Sequence, residues 1–191
     1  MTTTILAENR PAPPRDAGGP LDADALAHFE RTGWVAARGF FGAEEVAAIS
    51  AWTDELLAMP EVPGRHMVYR EDSLLGDGQR VVQRIENFCP FHPRFNALVR
   101  EGRLRAAVEQ LMGGPVCLFK EKINFKMPGG AGFEAHQDQQ AGWTRYAPLF
   151  VTAMVTLDPA TIENGCLEMV PGRHKEGLIG DEWAQIGRAH V

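Results

Sequence analysis

His136 and Asp138 lie two residues apart in Phe133-Glu-Ala-His-Gln-Asp-Gln-Gln-Ala-Gly-Trp143, and an imidazole beside a carboxylate is a donor pair suited to a first-row divalent metal. The stretch reads as a strand, where residues i and i+2 face the same way, so both side chains can reach one ion. Together they make two thirds of the two-His-one-carboxylate triad that holds non-haem Fe(II) and leaves positions open for a cosubstrate and O2. The third ligand has to come from elsewhere. The spacing alone is weak evidence, because a His-x-Asp pair is more often a surface hydrogen bond than a metal site.

A second set of chemistry-bearing side chains lies just upstream. Over Val116 to Lys126, alternation puts Lys120, Lys122, Asn124 and Lys126 on one face and Phe119, Ile123 and Phe125 on the other. Alternation does not say which face meets water, so the polar face reads equally as a solvated surface and as the lining of a site. Thr152, Met154 and Thr156 share one face of a further strand, Leu149 to Leu157. Trp143 and Met154 read equally as pocket wall and as ordinary core. His28, His66 and His92 lack partners at ligand spacing and read as structural or exposed.

The elements that must position these residues change character along the chain. Residues 1–20 hold Pro11, Pro13, Pro14, Gly18, Gly19 and Pro20 with few apolar residues, a composition expected to give a disordered tail. Asp22 or Asp24 can cap a short helix that Gly33 ends, and Trp34 to Phe41 is expected as a strand. Ala43 to Met59 is the clearest helix: Glu44 and Glu45 complement its dipole, Val46, Ile49, Trp52, Leu56 and Leu57 recur at helical spacing, and Pro60 and Pro63 stop it. Gly64 to Gly78 is polar and Gly-containing, and Gly102 to Met112 makes a third helix. From Val116 the pattern turns to strands separated by turn signals at Met127-Pro-Gly-Gly130, Asp158-Pro159, Glu163-Asn-Gly165 and Pro171-Gly172. Helices first and an antiparallel sheet later suggest an α+β chain, mainly β, built on a jelly roll.

Composition narrows the partners. The 191 residues, 45% hydrophobic and 23% charged, fit one globular domain with a sizeable core. The net charge of −6 argues against a nucleic-acid groove or an anionic membrane surface, both of which attract excess Lys and Arg, and favours a small-molecule substrate. Three cysteines at Cys89, Cys117 and Cys166 support neither a disulfide framework nor a zinc knuckle. No run approaches the roughly 18 apolar residues of a membrane span, and no secretory signal is legible, so a cytoplasmic protein is expected. The oligomeric state is left open.

Three blocks, Lys120-Glu-Lys-Ile-Asn-Phe-Lys-Met-Pro-Gly-Gly130, the His136-Gln-Asp138 motif and Glu163-Asn-Gly-Cys-Leu-Glu-Met-Val-Pro-Gly-Arg-His-Lys-Glu-Gly177, in that order and spacing, resemble the phytanoyl-CoA dioxygenase family of Fe(II)/2-oxoglutarate oxygenases. Phe29-Glu-Arg-Thr-Gly-Trp34 running into Gly39-Phe-Phe41 is similar to that family's opening segment, so the resemblance covers Leu21 to Gly180. It implies a cupin-like double-stranded β-helix with N-terminal helices, over residues 21–185. It also implies Fe(II) in the mouth of that fold, 2-oxoglutarate as cosubstrate and O2 as oxidant, with succinate and CO2 released as a small molecule is hydroxylated.

By the same resemblance His136 and Asp138 are the first two iron ligands, and Lys122, Asn124 and Lys126 would meet 2-oxoglutarate. Arg84, in Gln83-Arg-Ile-Glu-Asn-Phe88, and Gln137 are further cosubstrate candidates, although Gln137, between the ligands, should point away from the metal. Lys120, Trp143 and Met154 are assigned to the substrate, and the lysines hint at an anionic or zwitterionic one, such as an organophosphonate or a carboxylate. His174 resembles the family's Pro-Gly-Ser-His turn, not its distal ligand, and is expected to bond to backbone.

Ile186-Gly-Arg-Ala-His-Val191 resembles one reading frame of a common sequencing-library adapter, so residues 186–191 are expected to be non-native and His190 is excluded as a ligand. The distal His, a 2-oxoglutarate-clamping Arg and the closing C-terminal strands are then expected beyond residue 185, which would leave the present chain inactive. The alternative from another class is a jelly-roll binding or structural protein with a vestigial metal site. Radical halogenation is a third, and Asp138 speaks against it, because such enzymes usually carry a small residue there so that chloride can bind iron.

Overall fold

A computed structural model describes residues 2–7 and 18–182. In chain order the regular elements are β1 (Thr2–Ala7), α1 (Ala23–Thr32), α2 (Ala43–Ala58), β2 (Met67–Asp72), β3 (Arg80–Glu86), α3 (Pro93–Arg100), α4 (Gly102–Met112), β4 (Val116–Asn124) and β5 (Phe150–Met154). The architecture is α+β with an antiparallel sheet in the order β2-β3-β4-β1-β5.

The helices start and stop on the expected signals. Asp22 caps α1 by accepting the Ala25 N–H at 2.8 Å, and Gly33, at φ 85°, closes it by donating its own N–H to the Phe29 carbonyl. α2 opens where the Gly42 N–H donates to Glu45 Oε2 at 2.8 Å, and it buries Ile49, Thr53 and Leu56. Leu57, expected on that inner face, is exposed. α3 is additional to the three helices expected: Pro93 occupies its first turn, and His92 Nδ1 caps it by accepting the Phe95 N–H at 3.3 Å.

Three expectations about strands are corrected. Trp34 to Phe41 forms no strand. The Thr32 hydroxyl donates to the Trp34 carbonyl at 2.9 Å and Gly39 turns at φ 66°, so local bonds replace a ladder while Phe40 and Phe41 pack on the core. The polar stretch after Gly64 instead carries β2, which pairs with β3 as a hairpin from Met67↔Glu86 to Asp72↔Arg80. The third correction concerns the expected tail over residues 1–20: Thr2–Ala7 pairs antiparallel with both β4 and β5. The run Thr2-Thr3-Thr4-Ile5 is β-branched throughout, a local strand preference that the Pro- and Gly-rich composition downstream masks. Residues 8–17, like 183–191 with the adapter-like end, lie outside the described residues.

Thr4 pairs with Lys120 and Ile5 with Leu118, which leaves Phe119 as the extra residue of a bulge in β4. The bulge reverses the alternation. Phe119 therefore packs on Trp143 and Phe150, on the side where Lys120 also covers Trp143, and not on the face opposite the lysines. Beyond the bulge, Glu121 and Ile123 turn inward as the pattern requires.

The core lies between α2 and α3 on one side and β3 and β4 on the other, where Ile49, Leu56, Ile85, Phe88, Phe95, Val99 and Ile123 are buried together. Burying each such side chain contributes about 1.5–3 kcal/mol, which makes this the rigid part of the molecule. Phe95 is its centre, touching the rings of Trp52, Phe88 and His92. Residues 155–182 carry no strand and no α-helix, and many of them are exposed. Among the described residues no helix is long and apolar enough to cross a membrane.

Candidate metal centre

His136 does not sit on a strand. Residues 131–137 have no helix or strand, and Asp138 opens a 3-10 turn, Asp138–Ala141. The expected relation of i to i+2 survives because the one residue between the ligands, Gln137, is extended at φ −103° and ψ 131°.

His136 Nδ1 lies 2.6 Å from the Glu134 carbonyl oxygen, which can only accept. Nδ1 therefore carries a proton, and in the neutral ring Nε2 presents its lone pair. Nε2 stands 3.5 Å from Asp138 Oδ1. Two donors each about 2.1 Å from one metal and about 90–110° apart are separated by about 3.0–3.4 Å, so donor type, tautomer and spacing all fit a divalent ion. The other carboxylate oxygen, Oδ2, accepts a hydrogen bond from Thr152 Oγ1 at 3.0 Å, which turns Oδ1 toward the imidazole. Thr152 was placed on the correct face of its strand by alternation, but no sequence signal ties it to Asp138.

The pair is open to solvent, with side-chain exposures of 33% for His136 and 42% for Asp138. The Asp138 carboxylate draws the His136 pKa up by hydrogen bonding, against the opposing effect of partial burial. Burial likewise pushes the Asp138 carboxyl up, but hydrogen bonds from His136 and Thr152 and the charge on Lys122 outweigh it and leave that carboxyl below its ordinary value. A metal and a proton thus compete for Nε2. Among the described residues no group of three or more His, Cys, Asp and Glu side chains is placed to hold a metal, so the third donor is not found there.

The polar face of β4 runs beside this pair. Lys120 Nζ lies 5.0 Å from the Trp143 ring centroid, while Lys122 and Lys126 lie 5.8 Å and 5.5 Å from that of Phe133. Burial first, and the charge of Lys120 second, lower the Lys122 pKa, with Asp138 and Glu86 acting the other way. Asn124 Oδ1 is buried without a hydrogen-bond partner among the described residues. Trp143 is buried, whereas Met154 is exposed on the same side of β5 as Thr152.

Two expected cosubstrate contacts have other engagements. Arg84 is 3% exposed, donates from Nε to Glu86 Oε1 at 2.8 Å and lies over the Tyr69 ring at 4.0 Å. It pairs in register with Asn124, as Glu86 does with Lys122, so Arg84 and Glu86 stand on the same face of the sheet as Lys122 and Asn124, on the neighbouring strand. Gln137 does point away from the metal side: its Nε2 donates to the Gly177 carbonyl at 2.8 Å and its Oε1 accepts the Ile179 N–H at 2.6 Å. His174 lies apart from the pair, with Nε2 3.3 Å from the Glu30 carbonyl oxygen, as a turn histidine on backbone.

The imidazole–carboxylate pair, flanked by a lysine face, offers two donors that fit a divalent metal. Residues 29–185 match the family described as phytanoyl-CoA dioxygenase (PhyH), and the chain belongs to that family. Its members are oxygenases that use Fe(II), 2-oxoglutarate and O2. The chain is 39% identical over 154 residues to a 2-aminoethylphosphonate dioxygenase of uncultured bacterium HF130_AEPn_1, covering 81% of this chain and 58% of the relative. It is 34% identical over 159 residues to a methylphosphonate hydroxylase of Gimesia maris, covering 83% and 59% respectively. A probable alpha-ketoglutarate-dependent hypophosphite dioxygenase of Stutzerimonas stutzeri is 30% identical over 147 residues, covering 75% and 50%. The chain therefore spans between half and three fifths of the length of these relatives. No solved structure matches it.

Proposed function

We propose that the protein is an Fe(II)- and 2-oxoglutarate-dependent dioxygenase that hydroxylates a small anionic or zwitterionic molecule. The observation that carries this reading is the His136–Asp138 pair, with its tautomer fixed by Glu134, its Nε2 and Oδ1 3.5 Å apart, and its second carboxylate oxygen held by Thr152. The fold proposed for the whole protein is the double-stranded β-helix of its family, with a third ligand and a carboxylate-clamping Arg supplied from outside residues 18–182.

His136 and Asp138 would hold the metal, and the bound iron with its keto acid supplies the oxidative chemistry. The chain's own side chains bind, orient and neutralise. Lys122, Lys126 and Asn124 are assigned to the oxygens of 2-oxoglutarate, because Lys122 and Asn124 are half-buried on one face of β4, exposed Lys126 shares the Phe133 ring with Lys122, and the Asn124 carboxamide can rotate to offer its N–H2. Lys120 is assigned to substrate, with Trp143 and Phe119 as apolar wall and Met154 at the open margin. Arg84 holds Glu86 so that this carboxylate does not occupy the lysines. A phosphonate or carboxylate suits such a face, and the relatives named for 2-aminoethylphosphonate, methylphosphonate and hypophosphite support phosphorus oxyanions first.

Anaerobic addition of Fe(II) and 2-oxoglutarate to a protein of the relatives' full length should give a weak visible charge-transfer band, and aerobic incubation with an organophosphonate should release succinate. Absence of both would leave the reading as a jelly-roll binding protein with a vestigial site in its place. Unchanged turnover of an anionic substrate after Lys120→Ala would remove Lys120 from the substrate assignment.

A further inference from the structure

The residue between the two ligands is tethered through both its backbone and its side chain. The Gln137 N–H donates to Gln140 Oε1 at 2.9 Å, and the Gln140 N–H returns a bond to the Gln137 carbonyl at 2.9 Å. These two bonds fix the extended backbone that sets His136 and Asp138 on one side. The carboxamide then reaches the other way, to Gly177 O and Ile179 N. A group that donates to one residue and accepts from the residue two further on reproduces one rung of a β-ladder. Gln137 thus joins the ligand segment to residues 177–179 where no strand pairing does so.

Residues 177–179 are themselves braced. The preceding turn lies on the C-terminus of α1, where the Gly172 N–H donates to the Thr32 carbonyl at 2.8 Å and His174 Nε2 sits 3.3 Å from the Glu30 carbonyl. The last carbonyls of a helix lack partners within it, so this turn supplies donors that α1 needs. Contact is close enough that a Cβ on Gly33 would stand 2.4 Å from His174 Nδ1. α1 is held in turn by a second carboxamide of the same kind: Gln110 Oε1 accepts from Leu21 N at 3.0 Å and Gln110 Nε2 donates to Leu21 O at 2.8 Å. A continuous strut therefore runs from α4 through α1 and the His174 turn to Gln137 and the ligand pair.

We infer that Gln137 is a positioning residue, whose carboxamide, braced through the His174 turn on α1, sets the mutual angle of His136 and Asp138. This rests on the reading of that pair as metal ligands, and the strut is also observable without metal. Three variants of the full chain separate the possibilities. Gln137→Leu removes both side-chain bonds; Gln137→Glu keeps the acceptor for Ile179 but sets an oxygen against the Gly177 carbonyl; Gly33→Ala displaces His174 without approaching the ligands.

Backbone hydrogen exchange of the metal-free chain should rise across 136–140 and 172–179 in Gln137→Leu, and in the same two segments in Gly33→Ala, with a smaller rise in Gln137→Glu. Co(II) titration followed by the visible spectrum should show about tenfold weaker affinity and a shifted band in Gln137→Leu, at unchanged thermal stability of the metal-free chain. The inference is overturned if Gln137→Leu keeps wild-type exchange across 172–179, if Gly33→Ala leaves 136–140 unchanged, or if lost affinity is matched by a general loss of stability. Should wild type and His136→Ala bind Co(II) alike, the metal reading fails and the exchange data alone decide the strut.

Discussion

The wall made by β3, β4, α2 and α3 and the arm from Phe133 to Glu182 hold the two halves of the site by opposite means. On the wall, Arg84, Asn124 and Lys122 stand on strands whose reverse face is packed by Ile85, Ile123, Phe88 and Phe95, so their positions follow from a shared apolar core. On the arm, His136 and Asp138 belong to no strand, stand partly in solvent, and are held by hydrogen bonds to Glu134, Thr152 and, through Gln137, residues 177 and 179. Packing distributes its hold over many atoms, so it yields only to large changes. Point tethers yield one at a time. The lysine face should therefore tolerate changes on the arm, and the metal pair should be tunable without unfolding the wall.

The sharpest way to break this contrast is to damage the wall. Phe95→Ala should cost about 3–5 kcal/mol, read from chemical denaturation, because a ring enclosed by Trp52, Phe88 and His92 leaves a cavity that cannot collapse easily. The arm should behave otherwise. His136→Ala should abolish Co(II) binding while changing stability by less than about 0.5 kcal/mol, since the side chain stands partly in solvent, outside the buried core cluster; comparable unfolding of the two variants would erase the distinction.

Finer changes sharpen it. Thr152→Val keeps the shape of β5 but withdraws the donor to Asp138 Oδ2, and metal affinity should fall about tenfold at unchanged melting temperature. The smallest effect belongs to a charge on the helical side of the wall. The Gly42 N–H, and then Arg103, hold the Glu45 carboxyl below its ordinary value of 4.5. A carboxyl depressed on folding stabilises the folded chain above that value and loses its contribution as pH falls through the lower, folded-state pKa. Glu45→Gln should therefore narrow the stability gap between pH 7 and pH 3, measured by denaturant midpoints, and an identical gap in the two proteins would remove Glu45 from the account.

The same contrast explains what the sequence disclosed. Elements that carry their own period and caps were legible: α1 between Asp22 and Gly33, α2 up to Pro60, α4 up to the double glycine, β4 and β5 by alternation. The hairpin of β2 and β3 was not, because Arg80-Val-Val-Gln-Arg-Ile-Glu86 buries an arginine among its apolar residues and its partner looks polar. At the site, His136 and Asp138 were legible as a pair from type and spacing, yet their expected strand is a single extended residue followed by a 3-10 turn. The bonds that Thr152, Glu134 and residues 177–179 make to this segment were invisible, since each acts through backbone or through a partner distant in sequence.

The place of β1 in the sheet bears on the order of events during synthesis. β1 precedes every other described element in the chain, yet the neighbours of Thr2 in the ladder are Lys122 and Met154. Closing loops of about 120 residues to β4 and about 150 to β5 is entropically late, so this strand must wait while the intervening chain emerges. Until it docks, β4 and β5 present open edges able to recruit the wrong strand from another molecule. The pace of translation, the temperature of expression and the chain concentration at that moment should then govern the yield of folded protein more strongly than the small size of the domain suggests.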